Sequence, residues 1–164
     1  MFFVRIHHIA AQHLCYNTRM ETTHEERAEA AFRRGMNCAQ AVVLAFAADY
    51  GLDEALAAKV ACGLGGGVGR AREVCGAVTG AAVVLGLRHG ADKSVVYPHV
   101  QDFMARFRAA CGSVVCRELL AGVATAPGGA PEPRTDDYYR KRPCVELVKL
   151  SARILDKMAE GAGR

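Results

Sequence analysis

Seven cysteines stand in this chain of 164 residues, and four of them occupy one kind of place. Cys38 follows Asn37, a helix-capping residue type, and Cys75 opens an apolar stretch after a run of glycines. Cys116 comes three residues after Ser113, and Cys144 follows Pro143. Each position reads as the N-terminus of a helix. Unpaired backbone N–H groups and the helix dipole stabilise an anion there, which predicts thiol pKa values drawn down toward the reactive range. Cations flank the same positions: Arg70 and Arg72 before Cys75, Arg117 after Cys116, and Arg140, Lys141 and Arg142 before Cys144. Thiolate is the form that attacks disulfides and the form that ligates metals, so thiolate chemistry is expected on either branch.

The four cysteines are 37, 41 and 28 residues apart, one per helical segment, so only the tertiary fold could bring them together. The chain lacks the CxxC pairs of zinc ribbons and thioredoxins and the clustered run of bacterial ferredoxins. It also lacks CxxCH, which excludes covalent c-type haem. The other three read differently. Cys62, inside an alanine-rich helix, and Cys111 read as core packing, although Cys111 is near enough to Cys116 for a local pair. Cys15 reads as incidental.

The glycine run from Gly63 to Gly69 invites a phosphate-loop reading, but no Lys-Ser or Lys-Thr follows it and no strand precedes it. Its use is instead to carry the backbone through left-handed positions and close to a neighbour or bound group. Gly66, Gly67 and Gly69, with Gly76 beyond Cys75, are therefore candidate cofactor contacts, with backbone N–H groups available to sulfur. His89, at a helix C-terminus that favours a cation, and His99 have no partners at metal-ligand spacing. No paired carboxylates, Ser-His-Asp set or HExxH motif stands out, so hydrolysis is unsupported.

The elements that must position these residues read as helices. Ala28, Ala31, Phe32 and Gly35 give one apolar face to a helix from about His24 to Arg34. Thr22 with Glu25, or Thr23 with Glu26, forms its capping box. Further helices are predicted from Cys38 to Tyr50, from the Asp53 cap to about Leu64, and from Cys75 to His89. Another runs from Asp92 to about Ala110, with Pro98 kinking or splitting it. A short one holds Cys116 to Leu120, and the last runs from Pro143 to about Glu160. Residues 122–136 carry three of the five prolines and read as a loop that could gate the site. Gly76 and Gly80, with Ala77 and Ala81, let another backbone approach one helix face, in the protomer's own core or in a homodimer. The expectation is an all-α compact bundle of five to six helices with a Gly-rich loop and a Pro/Gly-rich loop.

Composition bounds the rest. Hydrophobic residues make up 51% and charged residues 23%, the balance of a globular chain rather than a disordered one. A net charge of +4 without clustering, no Trp and 7% aromatics argue against nucleic acid. No stretch reaches the roughly 18–20 apolar residues of a membrane span. Residues 1–19 read as a disordered or mis-assigned extension ahead of a single helical domain over 20–164, and they do not form a signal peptide. A cytoplasmic location follows as the expectation, where cysteines serve as metal ligands or redox groups more often than as structural disulfides.

Three segments carry a resemblance: Asn37-Cys38-Ala39-Gln40-Ala41-Val42, the loop Gly65 to Gly69, and Cys75-Gly76-Ala77-Val78-Thr79-Gly80. With Gly112-Ser113-Val114-Val115-Cys116-Arg117-Glu118-Leu119-Leu120 and Cys144, they resemble the C_GCAxxG_C_C family of redox-active proteins over about residues 25–158. The resemblance implies a small prokaryotic redox protein, often encoded near transporter genes, whose four functional cysteines are Cys38, Cys75, Cys116 and Cys144. A similar segment in split-Soret cytochromes lies beside an iron–sulfur site, without implying haem here. Three functions stay open. Four thiolates could hold an iron–sulfur cluster, [2Fe–2S] by preference, for electron transfer with an unidentified redox partner protein. A thiol–disulfide oxidoreductase would use Cys75 as nucleophile and a second cysteine to resolve. A zinc ion would make the site structural and redox-silent.

Overall fold

A computed structural model describes residues 22–125 and 127–161; residues 1–19, with Cys15, His7, His8 and His13, lie outside the described residues. The fold is all-α. Its helices are α1 (His24–Arg33), α2 (Cys38–Phe46), α3 (Glu54–Cys62), α4 (Gly65–Val68), α5 (Gly76–His89), α6 (Lys93–Cys111), α7 (Cys116–Leu119), α8 (Asp136–Lys141) and α9 (Cys144–Gly161), with a 3-10 turn at Ala47–Tyr50.

Local chemistry explains most boundaries. Thr23 and Glu26 make the reciprocal capping box at the start of α1, and Asn37 and Gln40 make another at α2. Asp53 accepts from the Leu56 N–H at 2.9 Å to open α3. The predicted second helix tightens into the 3-10 turn after Phe46 and ends on left-handed Gly51. The predicted break at Pro98 does not divide α6, which runs unbroken to Cys111. Pro98 is exposed and lies early in the helix, where the bond it forfeits would have gone to a carbonyl near the solvated end. A six-residue helix, α8, begins at Asp136, where the sequence reads as loop; Thr135 caps it.

Helix α2 is the hub, packed against α1, α3, α5 and α9, while α1 lies along α9. Phe32, Phe46, Phe103, Phe107, Leu85 and Leu155 are fully buried at the centre. The final helix buries Val145, Val148, Ala152 and Leu155 on one stripe. Buried Ser151 on that stripe donates to the Ala77 carbonyl at 2.9 Å, locking α9 to α5. The small-residue face of α5 is spent inside the protomer: a Cβ on Gly80 would come within 2.8 Å of the Ala39 carbonyl oxygen. Among the described residues the β pairing is one isolated antiparallel bridge, Val74 with Val115.

Candidate functional site

Each of the four cysteines is placed by a helix start. Cys38 is the first residue of α2, fixed by the Asn37 cap, whose Nδ2 also donates to the Cys62 carbonyl at 2.8 Å. Cys75 is the N-cap of α5. Cys116 and Cys144 are the first residues of α7 and α9. The bridge between Val74 and Val115 sets two of them side by side. The Cys75 N–H donates to the Val114 carbonyl at 2.8 Å, and the Cys116 N–H to the Glu73 carbonyl at 2.6 Å. All four side chains line one cavity of about 280 Å³. None is in a disulfide; Cys75, Cys116 and Cys144 are buried and Cys38 half-buried.

The four candidate glycines line the same cavity. Gly67 sits at φ +68, and a Cβ there would fall 2.7 Å from the Cys116 Cβ and 2.9 Å from the Arg72 Cα. A Cβ on Gly76 would fall 2.9 Å from the Cys38 Cβ. Close approach and left-handed backbone thus both demand glycine at Gly67. The Gly66 and Gly67 carbonyls accept from the Arg72 and Glu73 N–H groups, folding the loop back onto the strand-like segment before Cys75. Thr79 Oγ1 donates to the Leu64 carbonyl at 2.9 Å and ties that loop to α5.

Helix position alone predicts four acidic thiols, and the surroundings of three of them correct that expectation. Cys38 is held far above the ordinary thiol range, first by its side-chain hydrogen bond with Cys144 and then by burial. Burial pushes Cys75 up to about 12, although the Ala77 and Val78 N–H groups of the helix end oppose it. Burial also raises Cys116, against the Arg72 guanidinium. Cys144 goes the other way. Its hydrogen bond with Cys38, followed by the positive charge of Arg142, Arg134 and Arg72, draws it below the ordinary value despite burial. Cys75, the sequence-based candidate nucleophile, is therefore the poorer thiolate, and Cys144 the better.

Several residues around the cavity carry no sequence signal of their own. Glu132 pairs with Arg70 at 3.3 Å, with Arg72 at 3.2 Å and with Arg142. Arg134 lies between the Phe32 and Tyr138 rings, 4.5 Å from each centroid, and Arg142 sits over Tyr138 at 4.4 Å. Burial raises the Tyr138 hydroxyl to about 12, so it is a neutral donor at any working pH. Arg72 Nε and Arg134 Nη1 are buried without hydrogen-bond partners. Of the flanking cations read from sequence, Arg117 pairs with Glu73, while Arg140 and Lys141 pair with Asp137. These pairs are exposed and lie outside the cavity lining.

The remaining candidates divide. Cys62, expected as packing, is exposed at the cavity rim, because Ala57 and Ala61 are the α3 residues that turn inward. Cys111 does pack, its thiol donating to the Phe107 carbonyl at 3.1 Å. His89 and His99 stack with ring centroids 3.7 Å apart, and burial, His99 and Arg88 together lower the His89 pKa. That overturns the expectation of a cation favoured by the helix end. Among the described residues, no group of three or more His, Cys, Asp or Glu stands arranged around a single metal ion.

An all-α fold that gathers four free cysteines from four helix starts around one arginine-walled cavity defines a thiol-centred protein. The C_GCAxxG_C_C family model, described as a putative redox-active protein, matches residues 36–158, and the chain belongs to that family. No curated protein and no solved structure matches the chain.

Proposed function

We propose that the cavity is a redox centre in which Cys38, Cys75, Cys116 and Cys144 hold an iron–sulfur cluster, [2Fe–2S] by preference, for electron transfer. The observation that carries this reading is the convergence of four unpaired thiols on one cavity, since thiol–disulfide chemistry needs only two. The donor set suits the group, because four cysteine thiolates are the complement of a [2Fe–2S] cluster. The surroundings suit it as well. A cluster held by four thiolates is anionic, and Arg72, Arg134 and Arg142 supply positive charge, with two buried N–H groups still lacking acceptors. When bound, the cluster would accept and release single electrons. The cysteines would hold it, each giving up its thiol proton; binding therefore weakens as pH falls. Gly67 and Gly76 keep side chains out of the space between the cysteines. A lone tetrahedral zinc on the same four thiolates would make the site structural and redox-silent.

The placement of Cys38 and Cys144 together in the cavity, with Cys144 drawn toward the thiolate, favours a second reading. In this reading Cys144 thiolate attacks one sulfur of a disulfide substrate, breaking that bond and forming a mixed disulfide. Cys38 then gives its proton to the departing thiolate and attacks Cys144 Sγ. The protein pair is oxidised by two electrons, and the substrate leaves as two reduced sulfurs. Purification without oxygen, with a visible spectrum and iron and sulfide content, separates the readings. Charge-transfer bands with stoichiometric iron and sulfide support the cluster. A colourless, metal-free protein that forms a Cys38–Cys144 disulfide on oxidation supports the dithiol.

A further inference from the structure

Glu132 and the three arginines it pairs with line the same cavity as the cysteines. Arg72 and Arg142 are among the few buried charged side chains of the protein, with only 8% and 6% of each side chain exposed. Burying two cations is costly unless anions compensate them. Glu132 provides one carboxylate for both and pairs with Arg70 as well, and Arg72 Nε has no acceptor even with Glu132 in place. The carboxylate arrives on a segment in which Gly128, Gly129 and Pro131 are exposed. That segment meets Arg70 through the Gly128 N–H to the Arg70 carbonyl at 2.9 Å and through Arg70 Nε to the Gly128 carbonyl at 2.6 Å. A planar fork of N–H donors turned on a carboxylate is the ordinary means of recognising carboxylates and phosphates. Arg72 and Arg142 act on both Cys116 and Cys144 and line the same cavity, so an oxyanion bound there would lie beside the sulfur centre.

We infer that Arg70, Arg72 and Arg142 form an oxyanion-binding cradle beside the cysteines, occupied in this structure by the protein's own Glu132. A small substrate or effector bearing a carboxylate, sulfonate or phosphate group takes the place of that side chain. The inference adds a substrate class to the redox reading, but it concerns binding to guanidiniums and holds whether the cysteines carry a cluster or work as a dithiol.

The test titrates inorganic sulfate into the full-length protein and its Glu132→Gln variant at fixed ionic strength, by calorimetry. Acetate and inorganic phosphate are the parallel arms that tell a carboxylate source from a phosphate source. Removing the competing carboxylate should tighten sulfate binding at least about tenfold, and adding Arg72→Met to Glu132→Gln should cancel the gain. Equal affinity in the two proteins, no binding to either, or a gain that survives Arg72→Met would overturn the proposal. Wild-type protein supplies a second readout that needs no variant to fold. Amide exchange at Gly128 should quicken as sulfate displaces Glu132 and frees the segment, and an unchanged rate at saturating sulfate contradicts displacement. Loss of colour or metal in any of these proteins bears on the cluster alone, so the two failures remain distinguishable.

Discussion

The two sides of the cavity hold the same chemical groups in different states. On one side Cys38 and Cys144 share a hydrogen bond beneath Arg142 and Arg134, and one of the pair is drawn toward the thiolate. On the other, Cys75 and Cys116 are joined through backbone, by the bridge between Val74 and Val115, and burial holds both thiols protonated. All four stand at helix N-termini, so the helix end is not what separates them. The difference is first the hydrogen bond that Cys144 shares with Cys38 and then the guanidiniums beside it: a dipole at a helix end is weaker than desolvation and does not overcome burial by itself. A metal centre would erase the contrast by deprotonating all four, whereas a dithiol mechanism would depend on it.

Substitutions can break or sharpen that contrast. The largest effect is expected from Cys144→Ser, which should lower iron retention at least about tenfold if four ligands are shared; Cys75→Ser should match it, and iron assays of the two variants check this. A large loss in the first with none in the second would reduce the site to the Cys38–Cys144 side. Next comes Gly67→Ala, which forces a side chain against Cys116 at positive φ. A loss of about 2–3 kcal/mol is expected, read from the denaturant midpoint.

Alkaline pH should act on the other side of the cavity. In metal-free protein the Cys75 thiol stays protonated to about 12, while an unfolded thiol ionises near about 8.5. The folded state binds that proton more tightly, so its contribution is complete below pH of about 8.5 and is lost as pH rises toward about 12. Cys75→Ala should flatten this part of the stability–pH curve. A smaller effect is expected from Arg142→Met. The pH midpoint for alkylation of Cys144, below the ordinary thiol range in the wild type, should rise toward that range. Cys62→Ser should change iron content least of all, since the Cys62 thiol stands at the rim.

Much of this was legible in the sequence because it rests on local rules. Thr23, Asn37 and Asp53 mark helix starts by side-chain chemistry alone, and the apolar spacing in α1 and α9 gives the buried stripes. The four cysteines could be chosen from their place at helix starts. Their protonation could not, because burial and the reach of Arg134 and Arg142 are set by tertiary packing. Glu132, Arg134 and Tyr138 lie in or beside a Pro/Gly-rich segment with no periodicity, and the pairing of Glu132 with Arg72 spans 60 residues. The exposed Cys62 was misread for a related reason: an alanine-rich helix carries too little side-chain contrast to say which face turns inward.

The most direct test of the central claim is the visible spectrum and iron and sulfide content of protein purified without oxygen, compared with the four single Cys→Ser variants. Charge-transfer absorption with stoichiometric iron and sulfide is expected in the wild type, diminished in Cys38→Ser, Cys75→Ser, Cys116→Ser and Cys144→Ser alike. A colourless wild-type protein without iron, cycling between a Cys38–Cys144 disulfide and two thiols, would contradict the cluster and leave the dithiol as the redox centre.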